Sequence, residues 1–212
     1  MKLNLNTLHL VTIEPNDVAW PKVQQYVHDR YKIAFDAQLN TFMPHFMALF
    51  DDKEEIRSLC GFREGRNNTS LFLENYLDDS ADHILSLHFQ TNINREKMIE
   101  FGQLASFSRG ISAYHFLLMT ERLVEMGYEW CIFTATDLLH ALIKHMGLQT
   151  TLIAYADPKR VANAEKIWGH YYEHQPRILA GNLIEGAKAL RSHFNSIQSI
   201  PCVLDTNHHQ AG

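Results

Sequence analysis

Glu100 stands inside the apolar stretch MIEFGQLA of residues 98–105, two residues before a glycine. Glu100 is a candidate general base. Glu74, within LFLENYLD of residues 71–78, is a second candidate, a carboxylate in an apolar run where a raised pKa would suit a general base that deprotonates an amine. Such a group is costly to bury unless paired, and Arg63 is a candidate ion-pair partner for it. If residues 98–105 form a strand, strict alternation places Met98, Glu100, Gly102 and Leu104 on one face and Gln103 on the other. Glycine inside a strand often marks a bulge, and a bulge at Gly102 shifts the alternation by one, bringing Glu100 and Gln103 to one side. Glu100 as a salt-bridged strand residue without a chemical role is an equal alternative.

Residues 106–110, SFSRG, follow that stretch and precede a helical pattern. Free N–H groups at a helix start attract phosphate oxygens, Gly110 lets backbone approach, and Arg109 adds charge-assisted bonds. A serine at Ser106 or Ser108 is equally explained as a helix cap. Thr134, Thr136 and Asp137 end the next apolar run. Ligands of open α/β sheets favour the carboxyl ends of strands, whereas Thr136 or Asp137 also serves as a cap for the helix that follows. Trp168, Tyr171 and Tyr172 can wall an apolar pocket or simply pack in the core. The thirteen histidines suggest no metal: His140 and His145 are five residues apart, off the i, i+4 spacing that puts two ligands on one helix face. His208 and His209 fall in the tail, and the histidines read as scattered over the surface.

The elements that must position these groups follow from periodicity. Residues 7–13 alternate as a strand, and residues 17–34 carry helical spacing with Pro21 near the first turn. Residues 45–50 and 56–63 read as a hairpin across a polar turn, with Ile56, Ser58, Cys60 and Phe62 on one face. Residues 71–77 are short, apolar and ambiguous. A helix is expected over 79–89 with Ser80 as cap, a strand over 98–105, and a largely apolar helix over 110–126 ended by Gly127. Strands over 129–136, 150–156 and 177–183 alternate with helices over 137–146, 157–167 and 185–195. This order predicts an α/β (α+β) mixed sheet with helices on both faces, as a single domain over residues 1–198 and a loose tail over 199–212.

The chain is ordinary in composition, 46% hydrophobic and 20% charged, with a net charge of −5. That balance argues against nucleic acid as a partner and gives no general attraction to anionic lipid. Cys60, Cys131 and Cys202 are odd in number and form no CxxC pair, so neither a disulfide framework nor a zinc site is expected. The first ten residues lack a signal-peptide pattern and no run has membrane-spanning length, so a cytoplasmic location is expected unless another export route operates.

Four segments carry a resemblance: LFLENYLD at 71–78, EFGQLAS at 100–106, FTAT at 133–136, and WGHYY at 168–172 followed by Pro176. In this order the chain resembles the bacterial thermostable hemolysin family over roughly residues 42–183. It departs from the family pattern at Gln103, where asparagine is usual. The resemblance implies a GNAT-like N-acyltransferase fold, similar to the acyl-homoserine lactone synthases. It implies that the strands before and after residue 110 diverge and admit an acyl chain, and that acyl-CoA or acyl carrier protein is the co-substrate. Its thioester arm would lie along Gln103, Leu104, Ala105 and Ser106, with phosphate at Arg109 and Gly110. Tyr76, Arg63, Thr134, Thr136, Trp168 and Tyr171 would border the substrate, an unknown amine, with Glu100 or Glu74 as base. S-adenosylmethionine, used by those synthases, stays open, because the paired aspartates of their first half are not found. Two alternatives stand beside acyl transfer: a membrane-active haemolytic toxin acting on lipid, and a non-catalytic acyl- or lipid-binding protein. The sequence leaves the oligomeric state open.

Overall fold

The computed structural model describes residues 7–106 and 111–198. Strand β1 (His9–Ile13) leads into helix α1 (Trp20–Phe35), which buries Val23, Val27 and Tyr31 at fourfold spacing and carries Pro21 in its first turn, where no intrahelical N–H is needed. Strands β2 (His45–Phe50) and β3 (Ile56–Glu64) form the expected hairpin. The buried Asp51 ties its turn: the carboxylate accepts bonds from the N–H of Lys53 at 2.9 Å and of Glu55 at 3.0 Å, and from Arg57 Nε at 2.8 Å. The Glu55 bond first, with Arg57 and Lys53, outweighs burial and holds its pKa down at about 2. The β2–β3 register slips here, from Leu49 opposite Ser58 to Phe50 opposite Ile56, leaving Arg57 as an extra residue. The slip corrects the expected alternation. Ile56 turns to the α1 side with Leu59, while Cys60 and Phe62 pack on the opposite face.

The ambiguous apolar segment is a 3-10 turn, Phe72–Tyr76, followed by α2 (Ala81–Phe89), β4 (Met98–Ser106) and α3 (Ser112–Glu125). Then come β5 (Trp130–Ala135), α4 (Asp137–His145), β6 (Thr151–Tyr155), α5 (Ala164–Trp168), β7 (Arg177–Asn182) and α6 (Leu183–Gln198). The helix expected over 157–167 is broken into a 3-10 turn, Pro158–Arg160, and the short α5, because Asn163 takes a left-handed φ of 56° between them. Helix α6 starts two residues early, since Asn182 Oδ1 accepts bonds from the N–H of Ile184 at 3.0 Å and of Glu185 at 3.1 Å.

The sheet order is β1-β2-β3-β4-β5-β7-β6. The first four strands make an antiparallel meander, β4 and β5 are parallel across the α3 crossover, and β5, β7 and β6 are again antiparallel. Helices α1 and α2 cover one face and α3, α4 and α6 the other. Each aliphatic side chain buried between these layers contributes roughly 1.5–3 kcal/mol.

Candidate active site

Strands β4 and β5 part company halfway along. They pair from Met98 opposite Trp130 to Phe101 opposite Phe133, and no further. Beyond that point β4 stays paired with β3 as far as Ser106, and β5 with β7 as far as Ala135. A cavity of about 340 Å³ fills the opening and reaches both faces of the sheet. On the α1 side Tyr31, Phe35, Gln103 and Tyr171 line it; on the other, Phe116, Met119, Leu139, Leu142, Ile143 and Leu190. Its size and apolar walls suit a small hydrophobic ligand.

The bulge expected at Gly102 lies one residue on. The β3–β4 register steps from Gly61 opposite Gly102 to Leu59 opposite Ala105, and Gln103 adopts φ 51°. This conformation is uncommon outside glycine, and it is held by the side chain. Gln103 Oε1 accepts a bond from Met43 N–H at 2.9 Å, and its Nε2 donates to Thr41 carbonyl at 2.9 Å. As the shifted alternation predicts, Glu100 and Gln103 face the α1 side together. The glycine has another reason: a side-chain carbon at Gly102 would stand 2.5 Å from Met43 Cε. Leu104 lines the cavity, Ala105 packs in the α1-side core, and the Ser106 hydroxyl donates to the carbonyl of Arg57 at 3.1 Å. Arg109 and Gly110, read as phosphate ligands, lie outside the described residues, as does Ser108.

Glu100 is buried, 1% exposed. Its carboxylate accepts bonds from Phe72 N–H at 2.7 Å and from Leu73 N–H, and Arg63 Nη1 lies 3.8 Å away. Burial raises its pKa to about 7 against the opposing pull of Arg63 and the two amides. Glu100 does not line the cavity. It lies on the face covered by the 3-10 turn at 72–76, one residue before the strands part.

Glu74 departs from the expected base in both partner and pKa. Its ion pair is with Arg95, at 2.6 Å from Nη1 and 3.0 Å from Nη2, and not with Arg63. It also accepts bonds from the N–H of Leu71 and of Ala81, each at 2.8 Å, serving the start of α2 where Ser80 makes no side-chain cap. Burial pushes its pKa up, but Arg95 and the two amides more than offset that and hold it below the ordinary value. The geometry is that of a structural tie.

Tyr76 is buried, with its hydroxyl 2.6 Å from that of Tyr172; burial first, then that contact, raises its pKa well above the ordinary value. Thr134 hydrogen-bonds Tyr171, both at the cavity, and Thr136 lines it too. Thr136 occupies the cap position of α4 without a side-chain cap bond, and Asp137 instead pairs with Arg177. Trp168 stands behind the cavity wall, 5.6 Å between ring centroids from Tyr171 and 6.1 Å from Tyr31. Sequence reasoning missed Tyr31, Phe35 and the whole α3–α4–α6 wall. The one signal was that α3 is apolar around more of its surface than a single buried stripe requires. The reading of the histidines as surface groups fails at His115, which is fully buried. Its Nδ1 lies 2.8 Å from Ser58 Oγ and its Nε2 3.1 Å from the Met47 carbonyl.

Residues 13–187 match the protein family described as Thermostable hemolysin. None of the curated proteins matches the chain by sequence. Among solved structures it is similar to FeeM, an N-acyl amino acid synthase from uncultured soil microbes, at 11% identity and a TM-score of 0.58, covering 85% of this chain and 94% of that one. It is similar to BjaI, a CoA-dependent acyl-homoserine lactone synthase solved with SAM and isopentyl-CoA, at 8% identity and a TM-score of 0.55, covering 89% and 90%. It is similar to a spermidine N-acetyltransferase from Vibrio cholerae in complex with CoA and spermine, at 6% identity and a TM-score of 0.50, covering 85% and 98%. At these identities the likeness establishes the fold, which is GNAT-like.

Proposed function

The chain belongs to the thermostable hemolysin family, and from that membership we propose that it is an N-acyltransferase, moving an acyl group from acyl-CoA or acyl carrier protein to an amine. The observation that carries this reading is the parting of β4 and β5 around an apolar cavity. Past Phe101 the edge of β4 that faces β5 is left without a strand partner, which suits an extended thioester arm laid along Gln103, Leu104 and Ala105. The acyl chain then enters the cavity beside Thr134, Thr136 and Tyr171. The amine nitrogen attacks the thioester carbon, a C–N bond forms, and backbone N–H groups near Gln103 carry the developing oxyanion. The C–S bond breaks and the sulfur leaves. The proton lost by the amine passes through water to Glu100 and on to the departing thiolate. Arg63 holds Glu100 in place, and Tyr76 and Trp168 border the acceptor side.

Incubation of the protein with decanoyl-CoA and a panel of amines, S-adenosylmethionine included, tests this by release of free thiol. Release that depends on one amine supports the reading; no release with any amine, together with no acyl-CoA binding, sinks it. A second reading, an acyl-binding protein without catalysis, is favoured by one observation: Glu100 does not line the cavity. Acyl-CoA binding without thiol release selects it. Among the described residues no helix is long and apolar enough to cross a membrane. Dye release from liposomes by the protein alone tests direct haemolytic action on lipid.

A further inference from the structure

We propose that Gly186 sets the length of acyl chain the cavity admits, and that the chain is of medium to long length rather than acetyl. This rests on the acyl-transfer reading above. The cavity is lined from Thr136 and Leu138, just past the carboxyl end of β5, down to Cys131, the second residue of that strand. Five residue steps of extended chain carry Cys131 to Thr136, a run of about 16 Å, room for roughly a dozen carbons of extended chain. Phe116, Met119, Leu142 and Leu190 wall this run, and an acetyl group would leave it empty.

Gly186, in the first turn of α6, and Leu190 one turn on along the same face also line the cavity, and the polypeptide enters α6 from Gly181, the strand partner of Cys131, which sets Gly186 toward the Cys131 end. Glycine inside a helix is less stable than alanine, so its presence calls for a reason. Backbone conformation is not the reason, because Gly186 does not take the positive φ that favours glycine. Crowding is not the reason either: a side-chain carbon there would meet only Leu148 Cδ2, at 3.5 Å, an ordinary contact. The neighbouring Gly181 differs, since a carbon there would stand 3.2 Å from the Gln149 carbonyl. What the glycine at 186 leaves is depth in the cavity. A leucine at this position would fill the end of the run, and an alanine would remove a little of it.

The test titrates wild-type, Gly186→Leu and Gly186→Ala protein with acetyl-, hexanoyl-, decanoyl- and tetradecanoyl-CoA, and in parallel with the free fatty acids of the same lengths. Each buried methylene multiplies affinity about fourfold, so wild-type affinity should climb with length until the run is full. Gly186→Leu should cut affinity for the longest chain by at least about tenfold while sparing hexanoyl. Gly186→Ala should trim only the longest chain and raise the melting temperature, a pairing that damage to the fold cannot produce. Affinity independent of length in the wild type, or an unchanged length profile in Gly186→Leu, overturns the proposal and leaves the transferase reading standing. Length-dependent binding of fatty acids with no binding of any acyl-CoA keeps the gauge and sinks the thioester. Binding of neither series overturns both.

Discussion

Arg63 and Glu100 face each other across the β3–β4 ladder, with Arg63 Nη1 3.8 Å from Glu100 Oε2, yet the carboxyl keeps a pKa of about 7. At that separation the guanidinium does not repay the loss of hydration. The proton is therefore held in the folded state over a range where the unfolded chain has released it. Stability from this proton is complete below the ordinary carboxyl value of 4.5 and is lost as pH rises through about 7, a change of roughly 3 kcal/mol. A base must be ionised to work, so thiol release should rise over the same range in which this contribution falls. Glu100→Gln should flatten the rate profile, slow transfer by roughly 10²–10⁴-fold, and remove this descending contribution, leaving below pH 6.5 the opposing rise that His115 supplies. Rate and urea stability measured from pH 5 to pH 9, at about one-unit steps, check this; a rate profile that Glu100→Gln leaves unchanged removes Glu100 from the chemistry.

The Arg95–Glu74 pair predicts a loss of structure without a specific change in chemistry. Arg95 also donates to the carbonyls of Arg66 and Thr69, each at 2.9 Å, and to Asp82 at 2.8 Å. Its side chain is 10% exposed. Arg95→Ala leaves the near-buried Glu74 and the half-buried Asp82 without their counter-charge and should cost about 3 kcal/mol. Glu74 is held below its ordinary pKa, so the stability it contributes is present above that value and lost as pH falls. Urea melts of the variant should shift well below wild type at neutral pH and converge with it in acid. An equal gap at all pH values would contradict the pairing.

Local chemistry made much of the fold legible. Gly127 and Gly147 end α3 and α4 at positive φ of 93° and 76°, as their place after an apolar period predicts. The hairpin, the central strand and the helical order follow from periodicity, and the four motifs pointed to the GNAT-like fold. What escaped was set by contacts distant in the chain. Arg57 becomes a bulge only because Asp51 reaches it, and the Glu74 partner lies 21 residues away at Arg95. The site was partly legible for the same reason. Thr134, Thr136, Tyr171, Gln103 and Leu104 reach the cavity, while Glu100 packs under the 3-10 turn that ends at Tyr76. The far wall is built by three helices, of which only α3 carried a signal in its excess apolar surface, while α4 and α6 gave none.

His115 gives the fold an acid limit separate from catalysis. Buried between α3 and the β2–β3 hairpin, it stays neutral, and burial lowers its pKa to about 4. The unfolded chain takes up this proton near pH 6.5 and the folded protein does not. The stability this group contributes is therefore complete above pH 6.5 and falls by roughly 3 kcal/mol as pH drops to about 4. His115→Leu should remove that contribution and leave the opposite slope that Glu100 supplies between about pH 4.5 and 7. It should also cost about 1–3 kcal/mol at neutral pH by leaving Ser58 Oγ and the Met47 carbonyl unpaired. Acid titration followed by circular dichroism of both proteins checks the two effects together.

Gln103 sets two opposing effects against each other, and their sizes decide the outcome. Its φ of 51° costs roughly 1 kcal/mol, which glycine would recover. Its two bonds to Met43 N–H and the Thr41 carbonyl satisfy groups that would otherwise be left without partners, together about 2 kcal/mol. Gln103→Gly should therefore be less stable by about 1 kcal/mol despite the easier backbone. Gln103→Ala, which keeps the strain and loses the bonds, should be the worse of the two. Asparagine accepts positive φ readily but is one methylene shorter, so Gln103→Asn should keep the bulge and at most one of the bonds. Because the bulge turns the free edge of β4 toward the cavity, affinity for decanoyl-CoA should follow the same order: wild type, Asn, Gly, Ala. Thermal melts and acyl-CoA titrations of the three variants measure both scales. If Gln103→Gly proves more stable than wild type, the bridge to Met43 and Thr41 does not hold this strand in shape.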